Sequence, residues 1–168
     1  MVWKEKIAAL IADRDKRDAL KMLFDCAANG CPDEFIQTLV EKFPFLPADY
    51  LEFLRFTDGA QLDLFVLFGS GESSFPPLES LMRRWAEVLP PREACPIGED
   101  SGGGVFWIAP DGRVHLHYID SAESEALAQS YGELLSEVFL GPRYLSLFPR
   151  GATARNEWLL YLREKGWA

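Results

Sequence analysis

The sequence predicts a single α+β domain over residues 1–168, in which a central mixed, mostly antiparallel sheet is flanked by helices. Three observations predict this fold class: helical periodicity towards both ends, strand-like runs clustered between the helices, and no regular alternation of strand and helix. A chain of 168 residues buries about 70% of the surface of its unfolded form, and its 48% hydrophobic content supplies the core. This composition excludes a wholly disordered chain.

The N-terminal part is predicted to be helical. Residues 3–24 have apolar side chains at helical spacing, and Asn29-Gly30 ends this first helix. Pro32-Asp33-Glu34 begins a second helix, because proline fits the first turn and the two carboxylates lie at the positive end of the helix dipole. Leu46-Pro47 begins a third helix, and Asp58-Gly59 supplies a left-handed residue where that helix ends.

The strands are predicted in the middle of the chain. Residues 62–68 are rich in strand-forming side chains and indicate one buried strand. Residues 105–108 and 114–118 are two further strand-like runs, joined through Asp111-Gly112. Because glycine accepts the positive φ of a tight turn, this pattern predicts a β-hairpin.

Three more helices are predicted after residue 80. They cover residues 81–89, 127–140 and 153–165, each with apolar residues on one helical face. Pro90-Pro91 ends the first of them, and Gly166 ends the last.

The charge is concentrated in one quarter of the chain. The net charge is −9, and residues 93–137 hold 9 acidic residues against 1 basic residue. The acidic residues of this segment are Glu93, Glu99, Asp100, Asp111, Asp120, Glu123, Glu125, Glu133 and Glu137. Such a field repels phosphate backbones and attracts a basic partner, which argues against direct nucleic-acid binding. The same pattern is also typical of a solvated face that only maintains solubility.

The chain has the features of a cytoplasmic protein. Charged residues interrupt the N-terminus at Lys4, Glu5 and Lys6, and no apolar run approaches the roughly 20 residues of a membrane helix. Cys26, Cys31 and Cys95 form an odd set in a chain whose core needs no disulfide. We therefore expect free thiols and no membrane association.

A hydrolase is the first catalytic alternative. Asp100-Ser101-Gly102-Gly103 is similar to the surroundings of the nucleophile in trypsin-like serine proteases. That triad needs its histidine and aspartate ahead of the serine, whereas His115 and His117 both follow Ser101. The glycines are also not followed by the lysine and helix of a phosphate-binding loop.

A metal site is the second alternative. His115 and His117 lie two residues apart in a predicted strand, so both point to one face. Asp120 and Cys95 are available, but neither stands at a diagnostic spacing for a third ligand. Solvent-facing histidines opposite the inward residues Val114, Leu116 and Tyr118 explain the pattern without a metal. We expect no metal, no cofactor and no enzymatic activity.

Four segments resemble the SUKH superfamily, which includes the cell-wall assembly regulators, and the resemblance runs over about residues 32–140. Residues 43–54 are similar to its Leu-Pro-x-x-Tyr-x-x-Phe-Leu helix, and Thr57-Asp58-Gly59 takes the place of its Asn-Gly stop. Residues 96–106 resemble its glycine-rich turn running into a strand, and residues 127–135 resemble its closing helix. Gly104 departs from the pattern, since the family often has an acidic residue there. Residues 3–24 and those after Phe148 have no counterpart.

The resemblance implies an α+β fold and a binding role. Many bacterial members are immunity proteins that neutralise a toxin of a polymorphic toxin system, and others are regulatory scaffolds that bind an endogenous protein. A basic toxin domain is therefore the expected partner. Pro47, Tyr50, Phe53 and Gly59 are expected to determine the fold. Contact is expected at exposed acidic residues, namely Glu99, Asp100, Asp111, Asp120, Glu123 and Glu125.

Overall fold

The computed structural model describes residues 1–148 and 156–168. The strands are β1 Phe24–Cys26, β2 Ala60–Leu62, β3 Phe65–Leu67, β4 Cys95–Asp100, β5 Val105–Ile108, β6 Val114–His117 and β7 Ser124–Ala128. The helices are α1 Val2–Arg14, α2 Asp18–Leu23, α3 Asp33–Lys42, α4 Ala48–Phe56, α5 Leu78–Trp85, α6 Tyr131–Glu133 and α7 Glu157–Glu164. Helix α6 continues directly into a π-helix, Leu134–Phe139, and a 3-10 helix follows at Tyr144–Leu147.

The seven strands form one sheet in which spatial order follows chain order from β1 to β7. Each pair of neighbours is antiparallel, which confirms the predicted α+β class. Successive turns of such a meander alternate between the two ends of the sheet. The β4–β5 and β6–β7 connections therefore lie at one end, and the β5–β6 turn lies at the other.

The sheet is covered on both faces. On one face, Phe139 of the π-helix stacks on Phe65 with ring centroids 4.7 Å apart and meets Phe106 edge-on at 5.2 Å. His117 lies on the opposite face, because it follows Leu116, the cross-strand partner of Phe106. There Trp85 of α5 meets the His117 ring edge-on at 5.8 Å.

The predicted single helix over residues 3–24 is wrong. Helix α1 ends at Arg14, α2 covers Asp18–Leu23, and Phe24 already belongs to β1. The break falls within residues 13–18, which are all charged. A helix there would have no apolar side chain to bury, and tertiary packing provides most of a helix's stability in water.

The predicted single strand over residues 62–68 is also wrong, because the chain reverses inside it. Strands β2 and β3 pair as a hairpin in which Leu62 lies opposite Phe65. Asp63 takes a left-handed conformation with φ 57, which is uncommon outside glycine but tolerated best by Asp and Asn. Its buried carboxylate accepts a hydrogen bond from the Tyr144 hydroxyl, a contact 81 residues away that the local sequence does not indicate.

Several other boundaries differ from prediction. The first residues of the predicted helix 127–140 form the end of β7, and the helix begins only after Ser130, whose hydroxyl accepts a hydrogen bond from the Glu133 amide at 3.1 Å. Residues 96–106 were expected to form a glycine-rich turn running into a strand, but residues 96–100 already belong to β4. Helix α5 begins three residues and ends four residues earlier than predicted. The predicted start of the last helix at Thr153 lies outside the described residues. Helices α3 and α4 and the β5–β6 hairpin are confirmed.

The two segments outside the family resemblance complete the core. Trp3, Ile7 and Leu10 of α1 are buried, and so are Trp158 and Leu162 of α7. Lys6 donates hydrogen bonds of 2.8 Å to the carbonyl oxygens of Ser136 and Leu140, and Trp158 donates one of 3.0 Å to that of Phe139. Both ends of the chain therefore pack on the π-helix.

In the described part of the chain, no helix combines the length and apolar character needed to cross a membrane.

Candidate partner-binding surface

Four of the six acidic residues predicted to contact a partner lie towards one end of the sheet. Asp100 ends β4, Asp120 and Glu123 lie in the β6–β7 loop, and Glu125 lies in the edge strand β7. The meander brings them to the same end because the β4–β5 and β6–β7 connections share it.

The β4–β5 turn holds Asp100 in place. One carboxylate oxygen of Asp100 accepts a hydrogen bond from the Gly104 amide at 2.6 Å, and the Asp100 amide donates to the Gly104 carbonyl at 3.0 Å. Gly103 takes φ +84, a conformation that favours glycine. The glycine-rich segment therefore builds a tight, internally bonded turn.

The β6–β7 loop is equally ordered by its own hydrogen bonds. The Ser121 amide donates to the Tyr118 carbonyl at 3.0 Å, which closes a turn with Ile119 and Asp120 at its tip. The Ser121 hydroxyl donates to the Glu123 carbonyl at 2.9 Å and accepts from the Glu123 amide at 3.1 Å. This geometry projects Ile119 outward, and its side chain remains 64% exposed.

Tyr118 and Ile119 form an apolar centre among the carboxylates. A methyl group added at Gly103 would lie 3.7 Å from the Ile119 side chain, so the turn and the loop are neighbours. Partial burial raises the pKa of the Tyr118 hydroxyl, and the nearby charges of Glu125 and Asp100 raise it further. Together these residues form what we call the acidic loop surface, namely Asp100, Tyr118, Ile119, Asp120, Glu123 and Glu125.

The acidic loop surface carries uncompensated charge. Asp120, Glu123 and Glu125 have no ion pair with any residue that the structure describes, whereas eleven ion pairs occur elsewhere in the same part of the chain. The unpaired carboxylates can attract a basic group of a partner. Once bound, the partner can cover the exposed apolar pair and exclude water from it.

The predicted inward position of Tyr118 is wrong, since 40% of it is exposed. Strand β6 ends at His117, so Tyr118 stands just beyond the part of the sheet that the helices cover. Neither Tyr118 nor Ile119 was predicted from the sequence to be a surface residue. A large apolar pair at a strand end, directly before Asp120, is the pattern that would have identified them.

The structure does not bring Glu99 and Asp111 to this surface. Glu99 points towards α5, where it pairs with Arg84, and its side chain is only 20% exposed. Asp111 lies in the β5–β6 turn at the other end of the sheet, 3.5 Å from Arg113. Local ion pairs therefore reduce the charge that these two residues can offer a partner.

The histidines differ from the prediction in one respect. They share a sheet face as predicted, but His117 is 5% exposed and not solvent-facing, because Trp85 covers it. Its Nδ1 lies 3.0 Å from the Ser124 hydroxyl, which also accepts a hydrogen bond from the Trp107 indole at 3.1 Å. His115 stacks on Trp107 with centroids 4.5 Å apart, and partial burial lowers its pKa.

The structure does not assemble the residues of the catalytic and metal alternatives. Ser101 is exposed in the β4–β5 turn, while the hydrogen bond of His117 goes to Ser124. Over residues 1–148 and 156–168, no group of three or more His, Cys, Asp and Glu side chains is placed to hold a metal ion. Burial raises the pKa of the Cys31 and Cys95 thiols, which leaves them protonated and weakly reactive at neutral pH.

The Thr57-Asp58-Gly59 segment is a structural junction. Helix α4 ends at Phe56, and Gly59 takes the predicted left-handed conformation with φ +109 three residues later. Asp58 is 4% exposed, and its carboxylate accepts hydrogen bonds from the Ser70 amide at 2.5 Å, the Ser70 hydroxyl at 2.7 Å and the Cys31 thiol at 3.0 Å. The Asp58 side chain therefore links the end of α4 to the loop that contains Ser70 and to the loop that contains Cys31.

Comparison with known protein families gives a match. The sequence model described as the SMI1 / KNR4 family (SUKH-1) matches residues 30–137, which is more than half of the chain. The match begins just before α3 and ends within the π-helix, so it contains the acidic loop surface and leaves out α1, α2 and α7. No curated protein matches the chain.

Proposed function

The chain belongs to the SMI1 / KNR4 family (SUKH-1), and from this membership we propose that it is an immunity protein that neutralises a toxin in the bacterial cytoplasm. Family membership supports a non-catalytic protein-interaction domain in general. The observation that carries the finer proposal is the acidic loop surface, where uncompensated carboxylates surround the exposed side chains of Tyr118 and Ile119.

This surface has the composition of a binding site for a basic protein. Aromatic and aliphatic side chains at the centre of an interface contribute most when surrounding contacts exclude water. Asp120, Glu123 and Glu125 would pair with lysines and arginines of the partner and would accelerate the encounter more than they strengthen it. A toxin that acts on nucleic acid uses such cations to hold phosphate, so bound carboxylates would compete directly with its substrate.

The surface needs little rearrangement to bind. The Asp100–Gly104 and Tyr118–Ser121 hydrogen bonds order both loops in the free protein. A pre-ordered surface loses less conformational entropy on association than a flexible one. We therefore expect small backbone changes at the interface and a strong dependence of the association rate on salt.

The proposal is tested by co-expression with the product of the adjacent upstream gene, followed by size-exclusion chromatography and a growth assay. A co-eluting complex that restores growth would support immunity. The variant carrying Asp120→Lys, Glu123→Lys and Glu125→Lys should bind more weakly and protect less. Asp100 is left intact, because its carboxylate holds the β4–β5 turn.

The matched control reverses three exposed acidic residues elsewhere, with Glu5→Lys, Glu72→Lys and Glu87→Lys. Its net charge equals that of the loop variant, so it separates the position of the charge from its amount. Equal binding by the two variants would contradict the electrostatic part of the proposal. A protein that neither binds nor protects would favour the alternative of a regulatory domain with an endogenous partner, to be sought by capture from lysate.

A further inference from the structure

A second surface, which shares no residue with the acidic loop surface, lies between α3 and α5. Two hollows of about 230 Å³ each adjoin there, and Lys42 and Met82 line both of them. Phe35 and Leu39 line the hollow on one side, and Leu89 and Arg92 line the hollow on the other. We call this pair of hollows the helix groove.

Two cations that form no ion pair with a described residue line the helix groove of this acidic protein. Among the described residues, the lysines and arginines that form no ion pair are Lys6, Lys42, Arg92 and Arg163. Lys6 is bound by two carbonyl oxygens, and Arg163 stands exposed on α7. The other two both line the groove.

The contacts of the Lys42 ammonium group with described residues are to weak acceptors of a positive charge. Its Nζ lies 3.5 Å from the sulfur of Met82 and 5.6 Å from the centroid of the Phe43 ring. A thioether is a weak hydrogen-bond acceptor, and an aromatic ring attracts the charge less strongly than a carboxylate. The exposed ammonium group therefore lies beside apolar side chains and forms no ion pair with a described residue, while Glu79, which lines the same hollow, pairs with Arg83.

Arg92 is held at the rim by an uncommon backbone conformation. Its φ is 68, one of two positive values among the non-glycine residues described. The other, at Asp63, is accounted for by the hydrogen bond from Tyr144. A left-handed conformation costs a bulky residue about 1–2 kcal/mol, and such strain concentrates at functional sites.

We propose that the helix groove binds a short acidic amphipathic segment of a partner protein. Each hollow is smaller than the roughly 300 Å³ at which small-molecule sites begin, and each suits one apolar side chain. Two adjoining hollows match two anchors one helical turn apart on a helix laid into a groove. Lys42 and Arg92 select a segment that carries carboxylates beside those anchors. This inference does not rest on the proposed immunity function.

The test uses the full chain and a fluorescently labelled peptide of three helical turns, with leucines at positions i and i+4 and glutamates on the flanking positions. In ¹⁵N NMR spectra the peptide should shift resonances of α3 and α5. Fluorescence anisotropy should show about tenfold weaker binding by the Lys42→Gln, Arg92→Gln double variant, as two partly exposed ion pairs would give. Arg163→Gln removes one cation outside the groove that forms no ion pair with a described residue; it is the control for loss of positive charge elsewhere and should bind as the unmodified protein does.

A second variant separates binding from folding. Arg92→Gly should raise the melting temperature, because glycine adopts the left-handed conformation freely, while it weakens peptide binding. A peptide with lysines in place of the glutamates should not bind. No binding of the acidic peptide, or equal binding by the double variant, would overturn the proposal. Shifts of α3 and α5 that depend on protein concentration without peptide would assign the groove to a second copy and overturn it as well.

Discussion

Replacing Asp58 with alanine should destabilise the protein by about 3 kcal/mol. The change removes the acceptor of two short hydrogen bonds from Ser70 and of one from the Cys31 thiol, at a site that is 4% exposed. Hydrogen bonds to a charged group contribute about 1.5–3 kcal/mol each, and donors left unsatisfied in a buried site add a penalty. At the lower value the three bonds sum to about 4.5 kcal/mol, and relief of the buried charge offsets part of this sum, which leaves about 3 kcal/mol.

Asparagine at the same position should cost about half as much. Its carbonyl oxygen can still accept from the Ser70 amide, and its NH₂ group can donate to the Ser70 hydroxyl, but the charge is lost. Asp58→Asn should therefore cost about 1–1.5 kcal/mol. The SUKH pattern has asparagine followed by glycine where this chain has Asp58-Gly59, which is consistent with a smaller cost for asparagine.

Urea denaturation followed by circular dichroism measures both values, provided that the slope m does not change. For a chain of this size, a loss of about 3 kcal/mol lowers the melting temperature by about 6–12 °C. Glu87→Ala, at an exposed site of like charge, serves as the control and should stay within about 0.5 kcal/mol. If Asp58→Ala behaved like Glu87→Ala, or if Asn cost as much as Ala, the hydrogen bonds of the Asp58 carboxylate would not stabilise the fold as proposed.

Three further predictions concern single positions. Burial lowers the pKa of His115, so the unfolded chain takes up the proton first and the free energy of unfolding falls as the pH drops below about 6.5. His115→Gln should make the urea midpoint depend less on pH in this range, and an unchanged dependence would contradict the prediction. Gly30→Ala would place a methyl carbon 2.1 Å from the Arg55 carbonyl oxygen and should destabilise the protein by over about 2 kcal/mol. Gly112→Ala meets no atom within 4 Å and should cost about 1 kcal/mol, because its φ of +83 strains any side chain; a lower melting temperature for Gly112→Ala than for Gly30→Ala would contradict this order. Ser130→Ala removes the N-cap of α6 and should cost about 1 kcal/mol, with Ser130→Asp restoring most of it in the same assay.

Sequence patterns predicted the elements whose cause is local. Helices α3 and α4 begin directly after Pro32 and Pro47, which occupy the N-cap positions, and the β5–β6 hairpin turns at Gly112. The β2–β3 hairpin was missed because its turn residue, Asp63, is stabilised by Tyr144 from a distant segment. Tertiary contacts of this kind override local propensity, and no window of the sequence contains them.

The same limit applies to the two surfaces. The acidic composition of residues 93–137 indicated a charged face. Only the fold shows that Arg84 pairs with Glu99 and that Asp120, Glu123 and Glu125 form no ion pair with a described residue. The helix groove lies between helices far apart in the chain, and only the fold shows that Lys42 and Arg92 line it and form no ion pair with a described residue. Composition predicts the amount of charge, whereas its compensation is a property of the folded structure.

The meander order of the sheet has a consequence for how such a protein diversifies. Each strand is hydrogen-bonded to the strands that precede and follow it in the chain. The side chains at the exposed positions 101, 102, 119, 120 and 123 lie outside the core. Substitutions there change what the end of the sheet recognises at little cost in folding, provided that Asp100 and Gly103 keep the turn. One scaffold can thus yield a repertoire of specificities, and a library randomised at these five positions should consist largely of folded clones.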